Sequence, residues 1–205
     1  MMTLLKKALQ QNHISLDDSV SEQLITYLEQ LIKWNKVINL TSITGPHDMV
    51  YLHIIDSLLI APYIHGTRCL DVGSGAGLPG IPLAIMLPHI KWVLLDKCAK
   101  KTRFLLQMKA ELGLKNVDVV ESRAERFHPE QRFDSIITRA YGTLRLLTES
   151  TVHLLAQDGV WLLMKGKYPQ EELDDLPSSV NVRDIQSIKM NGKTLERHLV
   201  SLTAS

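Results

Sequence analysis

Residues 70–82 read LDVGSGAGLPGIP, an apolar run ending at Asp71-Val72 and followed by four glycines and two prolines within ten residues. Glycine has no Cβ, so it adopts sharp turns and lets a ligand reach bare main chain. Pro79 and Pro82 suit the first turn of a following helix, where backbone donors have no intrahelical partner. A strand, a glycine-rich turn and a helix in that order put the turn at the carboxyl end of a sheet, the edge where open α/β folds bind ligands. A second apolar run, WVLLD (92–96), closes on Asp96. It lies about 20 residues beyond the turn, where a carboxylate can accept both hydroxyls of a ribose. These residue types point to a nucleoside-bearing ligand.

Register decides which nucleoside. Gly75, Gly77 and Gly80 match G-x-G-x-x-G, but the dinucleotide fingerprint starts where the strand stops, and here the strand stops before Gly73. Counted from Gly73, the glycines fall at 73, 75 and 77, and Leu78 stands where the third fingerprint glycine belongs. An acid directly before the turn, Asp71, is at home in sites for S-adenosylmethionine (SAM), which carries a sulfonium and an amino acid and no pyrophosphate. Asp96 serves either cofactor. The expectation is SAM; a nicotinamide oxidoreductase, a non-catalytic RNA-binding factor and a ligand-free turn are the alternatives.

The elements that must position these residues change character near residue 65. Before it, Val20, Leu24, Leu28, Leu31 and Ile32 recur at helical spacing, and Ser19 with Glu22 reads as a capping box. NLTSITGPHD (39–48) is rich in turn formers, and a second apolar-rich helix over about 49–63 carries His53 and Asp56 one turn apart. After it, strand-like runs stand at 69–72, 92–96, 117–121, 133–138 and 159–164, with helix-compatible segments such as 99–113 between them. That alternation implies right-handed crossovers and a mostly parallel, doubly wound sheet. Runs at 182–190 and 195–202 around an NGK turn predict a terminal antiparallel hairpin, completing seven strands. The expected architecture is a helical cap over 1–64 on a Rossmann-like α/β domain over 65–205, as one compact unit.

Composition narrows the class little. Of 205 residues, 45% are hydrophobic and 22% charged, ordinary globular usage. With 23 Lys plus Arg against 22 Asp plus Glu, the net charge of +1 argues neither for nor against nucleic acid, and any basic surface must be local. Cys69 and Cys98 are the only cysteines and form no C-x-x-C, so neither a zinc site nor a disulfide framework is expected. The N-terminus makes a poor signal peptide, and no apolar run approaches the roughly 20 residues of a membrane span. A monomeric cytoplasmic protein is expected.

Further candidates sit at the strand ends. Arg123 and Arg139 follow the third and fourth strands and Lys165 the fifth, so all three side chains should reach the ligand edge. Arg139 would contact either the SAM carboxylate or a phosphate of a target strand, and Lys165 is a phosphate-contact candidate. Asn39 and His53 come from the cap; Asn39 would cap a helix or read a base edge, and His53 with Asp56 suits a structural or substrate-orienting role. Lys97, Lys100, Lys101 and Arg103 crowd a helix start, where cations oppose the macrodipole at a cost of about 0.3–1 kcal/mol each. RNA phosphates would offset that cost. Trp34, Trp92 and Trp161 read as core, while Tyr141 stands near the site.

The blocks WNKVINLTSI, LHIIDSLLIAPY, LDVGSGAGLPGIPLAI, ESRAERF, SIITRAYG, LLMKGK and ERHL, in this order, resemble the RsmG family, the bacterial 16S rRNA (guanine(527)-N7)-methyltransferases. The likeness runs from about Gln23 to Leu202. It implies a class I SAM-dependent methyltransferase fold and 16S rRNA as substrate, within the 30S subunit or an assembly intermediate. It also implies SAM contacts at Gly73, Leu78, Ala124, Glu125 and Arg139, beside the Gly75, Gly77 and Asp96 read from the motif itself. Methylation at guanine N7 fits the residues, because an in-plane lone pair needs no base to expose it. The segment ITRAYG lacks the Asn or Asp with prolines common in amine methylation, and neither cysteine is placed to attack a base carbon.

Overall fold

The computed structural model describes residues 1–205. Helices α1 (Met2–Gln11) and α2 (Asp18–Ile38) open the chain, and α2 buries Leu24, Leu28 and Leu31, with Val20 and Ile32 at the margin of the same apolar stripe. Ser19 does not cap α2. The helix starts at Asp18, which places Ser19 inside the first turn, and its N-terminus has no side-chain cap hydrogen bond. Asn39 ends α2 in the left-handed conformation (φ 48°, ψ 65°) that asparagine tolerates better than most residues.

The predicted loop is shorter than its composition suggested, because Pro46 opens α3 (Pro46–Met49). The chain then winds as a π-helix over Val50–Ile55, resumes as α4 (Asp56–Leu58) and ends in a 3₁₀ turn over Ala61–Tyr63. The second cap helix is therefore not one regular rod. Its wide turn carries His53 and ends directly before Asp56, and π segments of this kind recur at functional sites.

Strands and helices then alternate: β1 (Arg68–Val72), α5 (Gly80–Met86), β2 (Lys91–Asp96), α6 (Ala99–Glu111), β3 (Val117–Glu121), β4 (Phe133–Arg139), α7 (Leu144–Thr151), β5 (Leu155–Lys165), α8 (Gln170–Asp174), β6 (Val180–Ser187) and β7 (His198–Ala204). The seven-stranded sheet has the order β3-β2-β1-β4-β5-β7-β6. β1 to β5 are parallel, and β7 lies antiparallel between β5 and β6. Strand order reverses between β1 and β4, and the crevice beyond their carboxyl ends is where such sheets bind ligands. The Thr138 hydroxyl donates to the Val72 carbonyl at 2.9 Å and ties the two strands at that point.

The terminal hairpin forms, but not around a tight NGK turn. The strands are joined by residues 188–197, and Asn12 of the N-terminal region holds Asn191 through two hydrogen bonds (2.8 and 3.0 Å). β7 begins at His198, opposite Lys165, so residue 197 lies outside the ladder at the ligand edge.

Successive strand residues feed opposite faces, as a period of two requires. Trp92 and Leu94 join Leu5, Leu28, Ile85 and Phe104 in a core shared by α1, α2, α5 and α6. Val93 and Leu95 join Leu70, Ile136, Trp161 and the α7 leucines 144 and 147 in a second. Trp34 packs edge-on against Phe104, with centroids 5.7 Å apart. No helix is long and apolar enough to cross a membrane.

The cap touches the glycine turn through one polar contact. Buried Tyr27 of α2 donates its hydroxyl to the Ala76 carbonyl at 2.7 Å. Tyr27→Phe leaves that carbonyl unpaired, so chemical denaturation should show a loss of about 1 kcal/mol. SAM titration of the same variant should show weaker binding.

Candidate active site

The turn after β1 is built almost entirely from main chain. Gly73 and Ser74 both donate their amides to the Leu95 carbonyl (2.8 and 3.1 Å). Gly75 donates to the Asp96 carboxylate at 2.9 Å, whose other oxygen accepts from the Cys98 amide at 2.9 Å. Gly73 is left-handed (φ +69°), and a Cβ there would stand 2.9 Å from the Tyr141 ring. Gly80 is needed for a different reason, since its Cβ would strike Leu94 and the Asp71 carboxylate.

Asp71 lies under the turn, fully buried. One carboxylate oxygen accepts from the Gly80 amide at 3.1 Å and the other has no partner. Burial pushes its pKa up to about 7, against the hydrogen bond from the Gly80 amide. A carboxyl beneath the turn is thus part of its support.

Two cavities open at the switch point. The first, ≈ 390 Å³, runs over Gly73 past Leu95-Asp96 to Ser122–Glu125, with Lys97 and Lys101 at its rim. The second, ≈ 420 Å³, is walled by Thr138–Gly142 and Leu163–Gly166, and Leu52, Asp56 and Arg197 close it. Ala140 and Tyr141 line both. Ala140 is left-handed (φ +64°) without being glycine, a strain of about 1–2 kcal/mol located in the shared wall.

The first cavity suits an adenosine with an amino-acid tail. It offers bare main chain at Gly73, a carboxylate at the end of β2, and apolar Leu95, Ala124 and Leu146 as a bed for a flat base. The family model for rRNA small subunit methyltransferase G matches residues 20–200. The chain belongs to that family. Proteins named ribosomal RNA small subunit methyltransferase G from Methylobacillus flagellatus and Pseudomonas aeruginosa are 45% identical over 204 residues and 47% identical over 190. The alignments cover 100% and 92% of this chain, and 98% and 89% of the relatives.

Among solved structures, the glycopeptide N-methyltransferase MtfA complexed with SAM has a TM-score of 0.64 at 12% identity, covering 73% of this chain and 93% of that one. Precorrin-6y C5,15-methyltransferase from Geobacter metallireducens has a TM-score of 0.54 at 17% identity, covering 80% and 92%. The fold is the class I methyltransferase fold.

The structure distributes the predicted residues unevenly. Gly73, Asp96, Ala124, Glu125 and exposed Arg123 line the first cavity. Gly75 and Gly77 do not; Gly75 anchors Asp96, and Gly77, left-handed at φ +82°, packs on Ile81. Leu78 is 3% exposed and packs in the core, and it lines neither cavity. Arg139 lines the second cavity and not the first. Its guanidinium donates to the Leu52 carbonyl at 2.7 Å and stands 3.6 Å from Asp56, which draws it toward the cap.

Lys165 also lines the second cavity, held by both oxygens of Glu172 (2.9 and 2.7 Å). His53 lies behind the wall, 1% exposed, with Nε2 3.0 Å from the Thr41 hydroxyl. Burial, helped by Arg139, lowers its pKa to about 4, so the ring is neutral. Asn39 caps α2 and lines neither cavity. Of the basic cluster, exposed Lys97 and half-buried Lys101 line the first cavity.

Arg197 was not anticipated, because its block ERHL read as strand. An antiparallel last strand must begin where the parallel ones end, and that rule would have placed it at the ligand edge. Asp56, expected to pair with His53, instead accepts from Arg197 Nε at 3.0 Å.

Gly73→Val should lower SAM affinity more than tenfold by calorimetry, with a thermal melt checking the fold. Asp71 sets a pH dependence of defined sign. Its pKa lies higher folded than unfolded, so its contribution is full below about pH 4 and is lost as pH rises through about 7. Denaturation between pH 4 and 8 should show that loss in the wild type and not in Asp71→Asn, while the opposite slope of His53 is common to both.

Proposed function

We propose that the protein methylates N7 of guanine 527 in 16S rRNA, acting as a cytoplasmic monomer on the 30S subunit or an assembly intermediate. The observation that carries this reading is the second cavity, which adjoins the cofactor cleft at Ala140 and Tyr141 and presents cations but no free general base. Asp56 is shared by two arginines, Lys165 is engaged by Glu172, and His53 is turned away to Thr41. Such a site suits an acceptor that needs no deprotonation, and guanine N7 is one. Positioning and electrostatics then supply the rate.

When bound, SAM supplies a methyl group on a sulfonium sulfur. The chain's own groups hold the partners. Gly73 main chain and the Asp96 carboxylate orient the nucleoside, with Ala124 and Glu125 at the adenine and Arg123 at the rim. Tyr141 offers the guanine a ring face at the opening between the cavities. Arg139 and Lys165 orient the RNA. Base-carbon chemistry has no support: Cys69 is buried with its thiol pushed up to about 12, and Cys98 stands at the start of α6.

The first turn of α6 has no acid. Lys97, Lys100, Arg103, Arg123 and Arg126 take part in none of the ion pairs. This unpaired rim beside the cofactor supports an RNA phosphate partner, with salt-dependent binding.

Incubation with labelled SAM and small subunits lacking the modification, followed by mapping of the methylated nucleotide, tests the reading. One methyl group at N7 of guanine 527 is expected; incorporation at another atom, or none, replaces it.

A further inference from the structure

We propose that Arg197, with Arg139, seats the phosphodiester of the nucleotide whose base is methylated, and that Asp56 is the positioning residue that holds the two guanidinium groups for it. The inference rests on the reading of the second cavity as the RNA acceptor site.

Three distant parts of the chain build this group: Asp56 from the cap, Arg139 from the end of β4 and Arg197 from the residue before β7. Asp56 is 4% exposed at its side chain, while Arg139 and Arg197 are 24% and 23% exposed and open into the cavity. Arg197 gives Nε to Asp56 and one Nη1 hydrogen to the Glu196 carbonyl. Its Nη2 has no protein partner. Arg139 likewise spends only Nη1, on Leu52 and Asp56. The remaining donors of two planar forks are available to one ligand.

Charge decides the class of ligand. Two arginines against one carboxylate leave one positive charge, and the neighbouring Lys165–Glu172 pair is balanced. A phosphodiester carries one negative charge and presents two oxygens to guanidinium forks. Burial, the largest influence on Asp56, raises its pKa against the two arginines, and a proton there would only increase the demand for an anion. The base itself is a poor occupant of this corner. Methylation leaves the purine cationic, so two bare arginines beside it would oppose the reaction, whereas a seated phosphate screens them and places negative charge near the ring.

The shared chemistry is an oxyanion, and the methionine carboxylate of SAM is the other source. Arg197 lines the acceptor cavity and not the cofactor cleft, which favours RNA.

The test measures binding of Arg197→Gln to small ribosomal subunits lacking the modification, across salt concentrations, together with SAM titration. Subunit affinity should fall about tenfold, the scale of one charge-assisted hydrogen bond. The slope of log K against log salt should shrink by about 0.7, one phosphate contact on a single strand. SAM affinity should stay within about twofold of wild type, a readout that a merely structural role would not leave intact. Arg197→Lys should keep the slope while losing part of the affinity, since lysine retains the charge without the fork.

An unchanged salt slope in Arg197→Gln overturns the proposal. A fall in SAM affinity with the subunit slope intact overturns it in favour of the methionine carboxylate. Should the glutamine variant unfold, wild-type subunit affinity in Arg197→Lys overturns it. A wild type that binds subunits but methylates another atom removes the guanine N7 assignment and leaves the phosphate seat standing.

Discussion

Everything in this molecule depends on keeping a stretch of side-chain-poor main chain, from Val72 to Gly80, in one shape. Apart from Val72, Ala76 and Leu78, such a segment has little apolar surface of its own to bury, so hydrogen bonds from other elements must hold the rest. The Leu95 carbonyl takes two amides, Asp96 takes a third, Asp71 takes a fourth, and Tyr27 reaches down from the cap to the Ala76 carbonyl. Each net contribution is only about 1 kcal/mol, but leaving any of these groups buried and unpaired costs more. β2 and the cap therefore cannot move without moving the turn.

The second cavity is organised differently. Main chain dominates around the cofactor, whereas the second cavity depends on paired charges. Glu172 holds Lys165 and also accepts the Leu144 amide at the start of α7. Asp56 gathers two arginines. Groups tied in this way are fixed in place and removed from proton transfer. That is a disadvantage for acid–base chemistry and none for an acceptor nitrogen with an exposed lone pair. The strained Ala140 lies where the two designs meet, and strain is commonly held at such functional walls.

The sheet was legible residue by residue because its signal is local. The five parallel strands sit within a few residues of the runs their apolar pattern marked, and α6 falls inside the segment 99–113. The positive φ at Gly73 follows from its place after β1. Less local features were misread. Ser19 has the spacing of a cap but lies one residue inside the helix. The NGK motif suggested a tight hairpin, yet Asn191 is held by Asn12 from the far end of the chain. The π winding of 50–55 has no mark in its composition.

The sequence alone determined the order of strands and helices, the glycine register that favours a SAM site, and the absence of a cysteine or proline motif for other methylation chemistries. These are properties of neighbours along the chain, and periodicity and steric freedom act at that range. Tertiary structure alone decided which charges meet. Asp56 chose Arg139 and Arg197 over His53, Leu78 went to the core, and Arg139 faced the second cavity. Partner choice among buried charges depends on which surfaces fold against one another, here on a cap closing over a strand-order reversal and on a last strand running backwards, and no spacing within a segment encodes that.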